Sequence, residues 1–196
     1  MDNSVSLSIF HCELSIADMN EFNNPNFEIL LTEQQISERV REIGSQIAAD
    51  YADKELILIG VLKGACLFLS DLMRAIDAPL AIEFMAVSSY GKQLRSSGEV
   101  KIVKDLDVPV EGKHLVVVED IVDTGLTLSY LLENLRSRGA ASVKLATMLD
   151  KPEPRKAMVQ IDYIGFEVPN RFLVGYGLDA AERYRNLPFI AALKTD

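Results

Sequence analysis

The chain is poor in several residue types and patterns that mark common functional classes. Of its 196 residues only Cys12 and Cys66 are cysteines, and only His11 and His114 are histidines. The cysteines fit no metal-ligand spacing, and a chain of this length closes its core without a disulfide, so a reducing compartment is expected. Neither histidine has companions at ligand spacing, and His114, at the start of an apolar run, reads as structural or solvated. No run approaches the ~20 apolar residues that span a bilayer. The first residues carry Asp2, Glu13 and Asp18 and no basic start, so a soluble, cytoplasmic protein without a membrane partner is expected. Cations are also scarce: 20 Lys and Arg against 29 Asp and Glu leave a formal net charge of −9. Nucleic-acid backbones are bound by clustered Lys and Arg, so no nucleic-acid partner is expected. Repeats, low-complexity tracts and long linkers are missing too.

What is present suits one α/β domain. A hydrophobic content of 48% over this length buries a substantial core. Residues 1–26, with Asn23-Asn24-Pro25-Asn26, read as a loosely held N-terminal arm before a single domain over 27–196. From Thr32 the pattern turns helical: Thr32 and Gln35 form a capping box, and Ile36, Val40, Ile43, Ile47 and Tyr51 fall on one face. Leu56 to Leu62 is an apolar run of strand length, ending at Lys63-Gly64-Ala65 before a helix through Phe68, Leu72 and Ile76. Pro79 opens a second strand, Leu80 to Val87. The polar stretch Ser88 to Gly98 is too long for a tight hairpin and suits a mobile lid. Strand character returns over Glu99 to Val103. Leu128, Leu131, Leu132 and Leu135 mark a helix ended by Gly139, and Ser142 to Leu149 is another buried strand. This alternation predicts a mainly parallel twisted sheet flanked by helices, with ligands at the carboxyl ends of the strands.

Residues 115–128 are the most informative. A β-branched strand stops at Glu119-Asp120, and a helix begins near Thr127. The small-residue turn between them leaves N–H groups pointing outward beside two acids that can hold sugar hydroxyls, a corner suited to a ribose phosphate. Paired acids directly after four apolar residues repel each other unless a ligand, cation or solvent separates them. An acidic protein binds a small anion through fixed N–H groups, a few placed cations or a metal. Three strand ends supply such groups: Lys63-Gly64, Glu119 to Thr127, and Asp150-Lys151. Taken singly, Lys151 reads as an exposed lysine, Phe172 as core beside Leu173 and Val174, and Asp179 with Arg185 as a surface ion pair.

Five segments share the order seen in one family: Val61-Leu62-Lys63-Gly64-Ala65; Ser88-Ser89-Tyr90-Gly91; Val117 to Thr127; Leu149-Asp150-Lys151-Pro152; and Gly165 to Asp179. On these the chain resembles the purine phosphoribosyltransferases of the hypoxanthine-guanine type, bacterial members above all, from about Thr32 to Ile190. The resemblance implies a type I phosphoribosyltransferase-like α/β fold with a small hood formed by N- and C-terminal segments. It implies magnesium-dependent transfer of the phosphoribosyl group from phosphoribosyl pyrophosphate to hypoxanthine or guanine, giving IMP or GMP and pyrophosphate. In this reading Asp123, Thr124, Gly125, Leu126 and Thr127 wrap the 5′-phosphate, and Asp123 is also the base that accepts the purine N7 proton. Glu119 and Asp120 orient the ribose hydroxyls, directly or through metal-bound water, and Asp179 binds magnesium. Lys63, Gly64, Ser89, Tyr90 and Arg185 serve the pyrophosphate, in a loop where the peptide before the lysine can adopt a cis form. Ala65 stands where many relatives have a second glycine. Lys151 donates to the purine 6-oxo group, Phe172 stacks on the ring, and the Leu173 carbonyl accepts from a 2-amino group, while Val174 belongs to the core. A homodimer or homotetramer is implied. Xanthine as a further substrate stays open; a nucleic-acid-binding sensor would call for a basic face or an added helix-turn-helix, and the sequence offers neither.

Overall fold

The computed structural model describes residues 24, 26–89 and 100–194. Nearly all of the expected arm, most of the expected lid, and Cys12 lie outside the described residues. Thr32 opens helix α1 (Glu33–Asp50) with the expected capping box: its side chain accepts from the Gln35 N–H at 3.3 Å, and the Gln35 side chain accepts from the Thr32 N–H at 2.9 Å. Ile36, Val40, Ile43 and Ile47 are buried along one face of α1. Gly44 lets α1 approach helix α2 (Cys66–Ala75), because a Cβ there would meet the Ala75 carbonyl oxygen at 2.6 Å.

The main sheet contains β2 (Leu56–Leu62), β3 (Leu80–Ser89), β4 (Val100–Lys104), β5 (His114–Val122), β6 (Ser142–Asp150) and β7 (Tyr163–Glu167), in the order β4-β3-β2-β5-β6-β7. All neighbours run parallel except β4, which lies antiparallel on the β3 edge. Strand periodicity separates two cores. Leu56 and Leu58 of β2 face α1 and α2, whereas Ile57, Ile59 and Val61 face Leu128, Leu131, Leu132 and Leu135 of helix α3 (Leu126–Ser137). Both faces are therefore covered, as the alternation of elements predicts. No helix among the described residues is long and apolar enough to cross a membrane.

Strands β3, β4 and β6 differ from expectation by one or two residues at an end, and the boundary of β5 differs where it bears on the site. Strand β5 does not stop at Glu119-Asp120 but continues to Val122, because β6 keeps pairing with it through Ile121↔Leu149 and Val122↔Asp150. Side-chain charge leaves the backbone donors and acceptors intact, so the neighbouring strand decides the length. His114 opens β5, and its Nδ1 lies 2.8 Å from Ser142 Oγ, in keeping with a structural role.

A second sheet joins distant parts of the chain: β1 (Phe27–Leu31), β8 (Leu173–Val174) and β9 (Ile190–Leu193), antiparallel in the order β1-β9-β8. The Phe27 ring meets Tyr184 edge-on at 5.3 Å, and Glu28 pairs with Arg171 at 2.7 Å. The sheet thus binds the start of the described domain to residues that follow β7.

Candidate active site

The strand order sets the carboxyl ends of β3, β2, β5 and β6 side by side. In that row stand Ser89, Lys63-Gly64, Glu119 to Thr127, and Asp150-Lys151. Tyr90 lies outside the described residues. Between β5 and α3 the backbone turns three successive carbonyls to one side. The Val122 carbonyl accepts from the Lys151 N–H at 3.0 Å and from Arg155 Nη2 at 3.3 Å; the Asp123 carbonyl accepts from Arg155 Nε at 3.0 Å. The Thr124 carbonyl accepts from the N–H groups of Lys156 at 2.9 Å and Ala157 at 3.1 Å. In a trans peptide the following N–H points the opposite way, so those of Asp123, Thr124 and Gly125 face outward. Gly125 has φ of 78°, and a Cβ there would meet the Ala157 carbonyl oxygen at 2.8 Å; only glycine fits both demands. The free N–H groups of the first turn of α3, at Leu126 and Thr127, add to this positive corner.

Behind the corner lie the two acids. Glu119 Oε2 is buried and has no hydrogen-bond partner. Burial, and secondly the adjacent Asp120, push the Glu119 carboxyl well above its usual range. Asp120 is pushed up to about 6, chiefly by burial, although its Oδ1 accepts from the Ile121 N–H at 2.9 Å. Its other oxygen fills the space over Gly64, where a Cβ would fall 1.6 Å from Asp120 Oδ2. The Leu62–Lys63 peptide is cis, the form that the resemblance allows. Gly177 in turn packs on Gly64, since a Cβ at Gly177 would lie 2.0 Å from the Gly64 carbonyl oxygen. This contact carries Asp179 and Arg185 to the same end of the sheet. Arg185 donates to the Gly177 carbonyl at 2.7 Å and pairs with Asp179 at 2.7 Å.

Glu182, which nothing in the sequence singles out, lies 3.0 Å from Lys63 Nζ and 3.6 Å from Arg185 Nη2. Its carboxylate bridges both candidate pyrophosphate cations. Ala181, Glu182 and Tyr184 have φ of 52°, 65° and 74°, so this turn is held in a conformation that side chains disfavour.

On the other flank, Lys151 is buried rather than exposed and donates from Nζ to the Arg171 carbonyl at 2.7 Å. Phe172 is 55% exposed, so the single-residue core reading is corrected: Leu173 and Val174 turn inward while the ring between Arg171 and β8 stays outside. Leu173 pairs with Ala192 of β9. Asp123 is exposed at the head of the loop. The structure therefore gathers Lys63, Gly64, Glu119, Asp120, the 123–127 loop, Asp179 and Arg185 around interlocking contacts, with Lys151 and Phe172 next to them. Arg155, absent from the sequence-based site, braces this loop from behind.

Among the described residues no group of three or more His, Cys, Asp or Glu side chains forms a metal cage. The two neighbouring carboxylates, one with an unpartnered oxygen, do suit a magnesium ion whose other ligands are substrate oxygens and water, since magnesium is commonly held by one or two carboxylates.

The phosphoribosyl transferase domain family matches residues 26–181. The chain is 54% identical over 167 residues to a hypoxanthine-guanine phosphoribosyltransferase of Bacillus subtilis, covering 85% of this chain and 93% of that one. It is 49% identical over 182 residues to a Listeria innocua bifunctional protein TilS/HprT, of whose length it spans 28%. A crystal structure of a Staphylococcus aureus hypoxanthine phosphoribosyltransferase superposes with a TM-score of 0.86 at 46% identity, over 90% of this chain and 97% of that one. Sequence, fold and the arrangement at the strand ends agree: this chain is a phosphoribosyltransferase and belongs to the hypoxanthine-guanine phosphoribosyltransferase family.

Proposed function

We propose that the protein salvages 6-oxopurines by transferring the phosphoribosyl group of phosphoribosyl pyrophosphate to hypoxanthine or guanine, giving IMP or GMP and pyrophosphate. The observation that supports this most is the meeting of an outward N–H corner, two half-buried acids and a buried lysine at one end of the sheet. The 123–127 loop takes the 5′-phosphate, with the hydroxyls of Thr124 and Thr127 beside its N–H groups. Glu119 and Asp120, acceptors when ionised, take the ribose diol. Lys63, Gly64, Ser89, Tyr90 and Arg185 receive the pyrophosphate once Glu182 has left the two cations. Glu119, Asp120 and Asp179 would hold magnesium, which when bound neutralises charge on the leaving group. Substitution occurs at the anomeric carbon through an oxocarbenium-like transition state. The protein therefore contributes placed charge rather than a covalent nucleophile. Asp123 accepts the N7 proton as the purine attacks.

Base choice follows from Lys151, whose ammonium donates to a 6-oxo group and finds no comparable acceptor on adenine. Phe172 stacks on the ring, and the Leu173 carbonyl accepts from the guanine 2-amino group. Lys151→Gln is expected to lower the ratio of kcat/KM for hypoxanthine over adenine by roughly 10–100-fold, the scale of one hydrogen bond to a charged group. An unchanged ratio would remove Lys151 from recognition. We place the protein in the cytoplasm as a homodimer or homotetramer. The deciding assay incubates the protein with the donor and magnesium against hypoxanthine, guanine, xanthine and adenine in parallel. Formation of IMP and GMP is the expected result, and no product from either 6-oxopurine overturns the proposal.

A further inference from the structure

We infer that Arg155 is a positioning residue for the phosphate-binding loop, holding its N–H groups outward and tying it to the strand end that carries Lys151. The inference rests on assigning residues 123–127 to the 5′-phosphate. A loop that presents N–H groups to an anion leaves its carbonyls on the far side, where each needs a donor. Here one short stretch, 151–157, supplies five such donations to Val122, Asp123 and Thr124, two of them from the Arg155 guanidinium.

The other three come from backbone N–H groups of the same stretch, so Arg155 is the side chain through which sequence controls the brace. The guanidinium is itself anchored by the Asp150 carboxylate at the end of β6, and the pair is largely enclosed, with side chains 19% and 13% exposed. The planar fork of arginine reaches the carboxylate and two carbonyls at once, which a single ammonium cannot do. Gly125 completes the fit, since a Cβ there would meet Arg155 Cδ at 3.0 Å. Pro152 and Pro154 restrict the backbone between Lys151 and Arg155. The purine-facing lysine and the loop brace are thereby kept at a set spacing.

The test measures binding of GMP and of guanosine, which lacks the phosphate, by calorimetry to the wild type, Arg155→Gln, Arg155→Lys, Asp150→Asn and Thr127→Ala. Arg155→Gln is expected to weaken GMP by about 10–100-fold, the scale of lost hydrogen bonds to a charged group, with guanosine within about twofold. The donor KM rises more than kcat falls. Arg155→Lys recovers part of the loss, and Asp150→Asn shifts the ratio in the same direction by less. A purely structural role would lower the melting temperature and the active fraction while leaving the GMP-to-guanosine ratio of affinities untouched, and that outcome overturns the inference. Should Arg155→Gln fail to fold, Arg155→Lys and Asp150→Asn carry the same test, and unchanged ratios in both overturn it. Thr127→Ala separates the two levels: a reduced ratio there with no change in the Arg155 variants refutes the brace alone. No change in Thr127→Ala either refutes the phosphate assignment beneath it.

Discussion

Asparagine at position 123 is expected to lower kcat by about 10²–10⁴-fold, the usual contribution of a placed general base, while the donor KM moves by less than about threefold. Asp123 is exposed, so exchanging a carboxylate for an amide of the same shape leaves the core alone. The loop around it is held through its carbonyls by Arg155, Lys156 and Ala157, contacts that do not involve the Asp123 side chain. The substitution thus separates proton acceptance from phosphate binding. Steady-state kinetics with the donor and the purine varied in turn provide the check, reading kcat and the donor KM separately. Wild-type turnover in the asparagine variant would exclude Asp123 as the acceptor.

The second large effect runs in opposite directions for stability and activity. Glu119→Gln is expected to raise the melting temperature of the ligand-free protein at pH 7–8 by about 3–8 °C, on the scale of about 2–4 °C per kcal/mol for a chain of this size. Glu119 Oε2 is buried without a partner beside Asp120, and an unsatisfied buried polar group costs about 1–3 kcal/mol, more when charged. Burial and the adjacent Asp120 make ionising this carboxyl costly in the folded protein, a cost that a neutral amide does not carry. On the proposed role of Glu119 at the ribose, the same substitution should reduce kcat/KM for the donor by roughly tenfold or more, because the diol would lose a carboxylate acceptor. Thermal melts in chelator, paired with donor kinetics, read both quantities. A lower melting temperature would mean that the carboxylate contributes to the ligand-free fold, contrary to its unpartnered oxygen.

The parts of this architecture that are legible in the sequence are those with a local physical cause. The capping box at Thr32 and Gln35, the seven apolar residues of β2 and the leucines of α3 each declare an element within a few positions. The row of site residues follows from them, because parallel strands end at one edge of the sheet. Strands β1, β8 and β9 are not legible: they are short, and β1 pairs with residues near the other end of the chain. Only their partners make them strands. The extension of β5 past Glu119 and Asp120 is hidden for the same reason. Arg155 escapes notice because its partners are mostly backbone carbonyls, which leave no mark in the sequence. Glu182 is seen only when the turn at 181–184 sets it against Lys63. Phe172 misleads in the other direction: flanked by apolar residues it has the composition of core, yet it stands at the surface next to a two-residue strand.

The packing of Gly177 on the Gly64 carbonyl joins two stretches of chain more than a hundred positions apart. Gly64 also lies beneath the Asp120 carboxylate, so three separately encoded segments meet without room for a methyl group. During synthesis the last of these emerges long after the first. Until it docks, this end of the sheet lacks the wall that carries Asp179 and Arg185. The candidate site is therefore assembled only once residues 64 and 177 have met.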